Sequence, residues 1–206
     1  MLFAKARDRS FKQIKMKKVI IIGASGSLAQ FVIDAVKALE NIELTLFVRN
    51  RRRLHKNAEL GTTVIEGDAM DFHSVRQAIR GQDIVYVNLA GDLQIMGSNI
   101  VKAMQETSVD RIIAISSIGI YQAPLRPVLV PYRKLADLVE NSGLTYTILR
   151  PDWFTSDNEI DYALTQKGEP ESGKAISRKS IAAFVAKIVE NPDLHQNENL
   201  GISKPE

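Results

Sequence analysis

The sequence predicts an α/β domain in which a doubly wound parallel sheet, with strands in the order 3-2-1-4-5-6, is covered by helices on both faces. Three observations carry this. Short apolar, β-branched runs alternate with amphipathic segments from residue 18 to residue 189, the pattern left by buried parallel strands and the crossover helices that join them. A glycine-rich turn links the first such run to the first amphipathic segment. The 206 residues suit one domain, since a chain of this size buries roughly 70% of its unfolded surface around a single core. A separate substrate domain does not fit.

The first strand is expected over 18–22 and the first helix over 27–39, where Leu28, Phe31, Val32, Ala35, Val36 and Leu39 recur at helical spacing. A second strand covers 43–48 and is followed by a short basic helical stretch. A third strand covers 63–66, a helix 72–80 and a fourth strand 84–89. The next helix carries Met96, Ile100, Val101 and Met104 on its buried stripe. A fifth strand spans 111–116, a helix includes 134–141, and a sixth strand over 145–149 runs into the Arg150-Pro151 stop. The last strong helix covers 181–189; Ser177 or Ser180 caps it, since a serine oxygen accepts from free first-turn amides, and Asn191-Pro192 ends it. Right-handed crossovers then dictate the strand order. Residues 122–131, with three prolines, and 155–175 read as irregular, and the chain after Pro151 as a small C-terminal substrate lobe of the same domain.

With 45% hydrophobic and 25% charged residues, the composition is that of an ordinary globular protein. The lack of cysteine excludes disulfides, thiolate nucleophiles and Cys-ligated metals. No apolar run approaches the ~18 residues of a membrane span, and no signal-peptide core follows the basic N-terminus. A cytoplasmic location without a membrane partner is therefore expected. His55, His73 and His195 stand apart with no second ligand at metal spacing, so no metal is expected. The net charge of +3 divides into +6 over the first 18 residues and −3 over the rest. Residues 1–16 are expected to be a basic tail, disordered or ahead of a start at Met16, with residues 17–206 forming the domain; binding of phosphates or an anionic membrane is the alternative.

Gly23-Ala24-Ser25-Gly26-Ser27-Leu28-Ala29 leaves the first strand and opens the first helix, the context in which such a turn carries meaning. A side chain at Gly23 would obstruct the turn, one at Gly26 would keep the backbone from a diphosphate, and Ala29 is small enough for close helix-sheet packing. The helix N-terminus offers unpaired amides and a positive dipole end. These features predict dinucleotide binding by a Rossmann-type fold; the alternative is a turn that uses glycine for geometry alone. A site for NAD places an acidic residue at the carboxyl end of the second strand, where this chain has Arg49. Glu43 lies at the strand's other end, roughly 16 to 20 Å away. Arg49, followed by Arg51, Arg52 and Arg53, favours a 2′-phosphate and hence NADP(H) over NAD(H). The alternative is a solvated basic face, and without interleaved aromatics no nucleic-acid partner is expected.

The stretches IIGASGSLA, VIEGDAMD, DIVYVNLAG, IIAISSIGIY and SGLTYTILRPDWF, in this order, resemble the atypical short-chain dehydrogenase/reductases, with the NmrA-like and biliverdin/flavin-reductase-like group as the closest branch. The resemblance spans about residues 17–202. It implies that Asp68 and Ala69 lie beside an adenine and that Asn88, Leu89, Ala90 and Gly91 lie under the nicotinamide-side ribose and phosphate. It also puts Ser116 and Ser117 where the family's active-site serine sits, and Pro151, Asp152 and Trp153 beside the nicotinamide.

One departure matters. Typical reductases of this family use a tyrosine with a lysine four residues on, which lowers the phenol's pKa. Tyr86, Tyr121, Tyr132, Tyr146 and Tyr162 are followed at that spacing by Ala90, Leu125, Ala136, Arg150 and Gln166. Lys134 is two residues from Tyr132, about 200° around a helix. Tyr132 and Tyr121 therefore read as pocket walls more readily than as general acids. Asp71 reads as a helix cap, GASGS lacks the spacing of a nucleophile elbow, and Trp153 and Phe154 fit either the core or a substrate pocket.

The expected function is an NADPH-dependent reductase that transfers hydride to a small conjugated acceptor, a flavin or quinone, with Ser117, Ser116 and Tyr132 at the reacting end. The alternative is a non-catalytic NADP(H) sensor that acts through a protein partner. Oligomeric state is not legible in these residues.

Overall fold

The computed structural model describes residues 16–206, so the expected basic tail lies outside the described residues except for Met16. In chain order the elements are β1 (Lys17–Ile22), α1 (Ser27–Lys37), β2 (Ile42–Val48), β3 (Thr63–Glu66), α2 (Phe72–Ile79), β4 (Ile84–Val87), α3 (Leu93–Thr107) and β5 (Arg111–Ile115). There follow α4 (Val130–Glu140), β6 (Thr145–Pro151), β7 (Phe154–Thr155), β8 (Ala163–Thr165), β9 (Ile176–Ser177), α5 (Arg178–Glu190) and β10 (Glu198–Ser203). Short 3-10 turns occupy Arg51–Arg53 and Pro127–Leu129.

The main sheet runs β3-β2-β1-β4-β5-β6-β10-β8. Its first six strands are parallel and have the predicted Rossmann order, which makes this an α/β doubly wound fold. The alternation of side chains along each strand explains why the strands read as continuous apolar runs. Val19 and Ile21 of β1 pack with Leu28 and Val32 of α1 and with Phe184 and Ile188 of α5. Ile20 and Ile22 pack on the opposite face with α2, α3 and α4, through residues such as Ile79, Met104 and Leu135. Both faces are covered, so most strand positions are apolar, with Thr45, Arg111, Thr147 and Arg150 as buried polar exceptions. No helix among the described residues is long and apolar enough to cross a membrane.

The region expected as a C-terminal lobe mostly extends the sheet. β10 pairs parallel to β6, and β8 pairs antiparallel to β10; β7 and β9 form a separate two-stranded parallel sheet. The sequence pattern hid β10 because Asn199, Gly201 and Ser203 interrupt Leu200 and Ile202, although Asn199 and Ser203 are both buried. α4 contains nearly all of the stretch 134–141 expected in a helix and begins at Val130, inside the stretch 122–131 expected to be irregular, because Pro131 occupies its first turn, where a missing N–H costs nothing. Of the two serines expected at α5, Ser177 is the cap: its Oγ accepts from the Ser180 amide at 2.9 Å and donates to the Glu159 carbonyl at 2.8 Å. Arg111, at the start of β5, fastens the chain after α5 by donating to the Pro192 and Leu194 carbonyls at 2.9 and 3.1 Å.

Ser177 is fully buried, so Ser177→Ala removes a cap, strands the Ser180 amide and leaves the Glu159 carbonyl with only the Ser180 hydroxyl, at 3.3 Å. Denaturant titration is expected to show a loss of about 1–3 kcal/mol; an unchanged midpoint would mean that α5 does not depend on this cap.

Candidate functional site

The strands of the parallel sheet end on a cleft of about 760 Å³, at the end where open α/β sheets bind ligands. Its floor begins at the turn after β1. Gly23 has φ +88°, and a Cβ there would lie 2.2 Å from the Asn88 carbonyl oxygen at the end of β4. At Gly26 a Cβ would lie 2.7 Å from Asn88 Nδ2. Both glycines therefore make room for Asn88, which brings the ends of β1 and β4 together. Ala24 turns the other way: it is fully buried in the core, its amide donates to the Phe47 carbonyl at 3.3 Å, and it does not line the cleft.

Helices α2, α3 and α5 have side-chain caps, from Asp71, Asp92 and Ser177. α1 begins at Gly26 with no side-chain cap and no acidic residue in its first turn. Ser25, Ser27 and Leu28 line the cleft, so the positive end of α1 faces it uncompensated. At α2 the Ser74 hydroxyl and the His73 and Ser74 amides hold the Asp71 carboxyl below the usual carboxylate range.

At one end of the cleft, Arg49 leaves β2 and Arg53 joins it from the 3-10 turn. Neither guanidinium has an ion-pair partner among the described residues. Arg51 is different: its guanidinium is held by Glu59 at 2.6 and 2.8 Å, and its amide donates to Glu66 at 2.8 Å. Arg52 lies outside the cleft, on a shallow neighbouring depression. Glu43 sits at the far end of β2, beside Lys18 at 3.8 Å. Asp68, Ala69 and Met70 line the same end, with Asp68 Oδ1 accepting from the Met70 amide at 2.9 Å. Asn99 of α3 fixes this loop by donating to the Ala69 and Met70 carbonyls, both at 3.0 Å.

Asn88, Leu89, Ala90 and Gly91 continue the lining past β4, and Ser116, Ser117, Tyr132, Pro151 and Trp153 close the other end. The Ser116 hydroxyl donates to the Tyr132 carbonyl at 3.1 Å and so ties β5 to α4. The Ser117 hydroxyl donates to the Ile118 carbonyl at 3.2 Å. Lys134 Nζ donates to Gln94 Oε1 at 2.8 Å and does not line the cleft, whereas Tyr132 does. Trp153, 76% exposed, stands at the mouth with Val128 and with Phe154, over whose ring the Arg178 guanidinium lies at 5.3 Å. Among the described residues no three acidic or histidine side chains come together as a metal site.

Tyr121 corrects the expectation of a pocket wall, since it is absent from the lining. Its hydroxyl accepts from Asn199 Nδ2 at 2.8 Å, and Arg133, Lys167 and Arg150 surround its ring at 4.6, 4.9 and 5.4 Å. Burial, and then the Glu140 carboxylate, push its pKa up. The expected lining also missed Ile118, Arg126 and Val128. Ile118 follows a strand end, where the general rule for such sheets could have found it, but nothing in the proline-rich 122–131 marks Arg126 or Val128.

Residues 23–192 match the NAD(P)H-binding family. A Rossmann-fold NAD(P)-binding family protein from Shigella flexneri is 42% identical and superimposes with a TM-score of 0.85 over 92% of this chain and 94% of its own. A short-chain dehydrogenase/reductase from Veillonella parvula DSM 2008, solved in complex with NADP, shares the fold at 24% identity and a TM-score of 0.81, over 92% of this chain and 95% of its own. Quinone oxidoreductase 2 of Escherichia coli (strain K12) is 25% identical over 183 residues, 83% of this chain. The match spans only 63% of that relative's length.

Because Gly23 combines a left-handed φ with backbone contact, Gly23→Ala is expected to cost about 1–3 kcal/mol or more. It should also abolish the rise in Tm that a nicotinamide dinucleotide produces. A variant with wild-type Tm and a wild-type ligand shift would show that the β1–β4 junction tolerates a side chain.

Proposed function

The chain belongs to the NAD(P)H-binding family, and on that footing we propose that it is an NADPH-dependent reductase delivering hydride to a small, flat, conjugated acceptor such as a flavin or quinone. The observation that carries the reading is one cleft that joins the N-terminus of α1, which has no side-chain cap, and Arg49 and Arg53, which have no ion-pair partner among the described residues, to a mouth at Trp153. The first-turn amides of α1 and its positive end suit a diphosphate. Arg49 and Arg53 suit a 2′-phosphate, each charge-assisted hydrogen bond contributing about 1.5–3 kcal/mol. One such bond corresponds to roughly ten- to hundredfold preference over the cofactor lacking that phosphate. Asp68 and Ala69 then flank the adenine, and residues 88–91 the second ribose and phosphate.

NADPH, when bound, supplies the hydride. The chain supplies position and shelter from water. Ser117 orients the acceptor or the carboxamide through its hydroxyl, and Ser116 holds the first turn of α4 so that the Tyr132 ring stays at the cleft wall. Pro151 and Trp153 form the facing wall. With Lys134 engaged by Gln94 and outside the cleft, no Tyr-Lys pair faces the cleft at Tyr132, so this site is poorly built to protonate an alkoxide. A quinone or flavin takes its proton from solvent, which suits the site, and the quinone oxidoreductase among the relatives supports the same class of acceptor. The missing Tyr-Lys pair also favours a second reading, a non-catalytic NADP(H)-binding regulator that acts through a protein partner.

Purified chain with NADPH and a panel of menadione, FMN and riboflavin separates the two readings. Loss of NADPH absorbance with at least one acceptor is expected; tight NADPH binding with no turnover would leave the regulator. Arg49→Asp should remove the preference for NADPH over NADH, and an unchanged affinity ratio would exclude Arg49 as a phosphate ligand. Tyr132→Phe should leave kcat for menadione little changed, whereas a collapse of kcat would make the phenol a proton donor after all.

A further inference from the structure

The segment between β8 and β9 lines no part of the cleft, yet one of its residues reaches both the loop after β5 and the carboxyl end of β6, which close the acceptor end. Glu171 is 10% exposed in its side chain. Its Oε2 accepts from the Gly119 amide at 2.7 Å, directly after Ser117 and Ile118. Its Oε1 accepts from Arg150 Nε at 2.7 Å, directly before Pro151, Asp152 and Trp153. That loop and the end of β6 also touch directly, the Ile118 amide donating to the Pro151 carbonyl at 3.1 Å. Arg150 is 1% exposed in its side chain and is held on another nitrogen by the Asn199 carbonyl at 2.7 Å and by the Asn199 side-chain oxygen.

The segment that carries Glu171 is itself anchored on the strand that carries Asn199. The Ser203 hydroxyl donates to the Ser172 carbonyl at 2.8 Å, and Lys174 and Lys204 exchange backbone hydrogen bonds of 2.9 and 3.0 Å. At Gly173, φ +110°, a Cβ would lie 2.3 Å from Ser203 Oγ, so the approach admits no side chain. A buried ion pair is a poor device for stability alone, because desolvation offsets much of its attraction and apolar packing serves as well. What apolar packing does not provide is direction: hydrogen bonds hold their partners to a few tenths of an ångström.

We propose that Glu171 is a positioning residue whose carboxylate joins the loop after β5 to the carboxyl end of β6 and sets the spacing of Ser117 from Trp153, which follows that strand. Its consequence for turnover rests on the reductase reading above; its consequence for the loops does not. A misplacement of about 1 Å at a reacting centre costs about a hundredfold in rate, so a site that relies on position instead of a proton relay depends on such a brace.

The test uses the full chain with Glu171→Gln, which keeps the shape and removes the charge, Glu171→Ala, and Ile188→Val as a core variant distant from both loops. Amide hydrogen exchange at Gly119 and over 152–154 is expected to speed up by about tenfold or more in the Glu171 variants, while NADPH affinity stays at the wild-type value. With menadione, kcat/KM should fall by about tenfold or more, with kcat carrying the loss. Ile188→Val should lower Tm and leave both readouts alone. Wild-type exchange at both loops in folded Glu171→Gln overturns the proposal, as does loosened exchange with unchanged kcat/KM. If Glu171→Ala does not fold, Glu171→Gln decides. A wild-type chain that binds NADPH and reduces no acceptor overturns the reductase reading instead, and the exchange measurement then decides the role of Glu171 by itself.

Discussion

Everything at the carboxyl end of the sheet depends on the approach of the β1–α1 turn to the end of β4. Asn88 presses its carbonyl against Gly23 and its amide against Gly26, closer than any Cβ would permit. The contact fixes where α1 begins and leaves its N-terminus open beside Asn88. It also brings the turn and residues 88–91 to one surface. The glycines therefore act first on the architecture; any room they leave for a ligand follows from it.

A second constraint sits at the other end of the cleft. Much of the interior is apolar side chains packed from both faces of the sheet, and such packing tolerates exchanges of side chain that conserve volume. The surroundings of Arg150 are of another kind. Its guanidinium is enclosed by Glu171, Asn199 and the Tyr121 ring, and each partner is in turn held: Asn199 by Tyr121 and Glu140, and Glu140 by Lys167 at 2.8 Å. Networks of this type are costly to leave half satisfied, which makes the geometry nearly all-or-none. The molecule thus combines an apolar core with a directional polar network at one end.

The parts of the fold visible in the sequence were those encoded by neighbours. Ile20, Ile21 and Ile22 announce a strand buried on both faces, Leu28 to Leu39 announces a helix, and the glycine spacing announces the junction between them. Most of the expected cleft residues do come together, because strand carboxyl ends in a parallel sheet share one edge. What stayed hidden depends on partners far along the chain. β10 satisfies its polar residues through Arg150 and the 171–174 segment, so locally it resembles a loop. Tyr121 and Tyr132 look alike in sequence, but Tyr121 sits outside the cleft, among Arg133, Arg150, Lys167 and Asn199, the last 78 residues away. Arg51 stands in the same basic run as Arg49, but Glu59 has claimed it. Glu171 belongs to no motif, since its meaning lies in where Gly119 and Arg150 are.

The two outermost strands of the main sheet are short: β3 has four residues and β8 three, and β8 reverses the direction of its neighbours. An edge strand is a template, and its capacity to recruit another chain grows with the number of unpaired amides it presents in a row. Here each rim offers a few such groups before the chain turns away. The sheet is wide, yet its short rims make poor templates for growing sideways into a fibre.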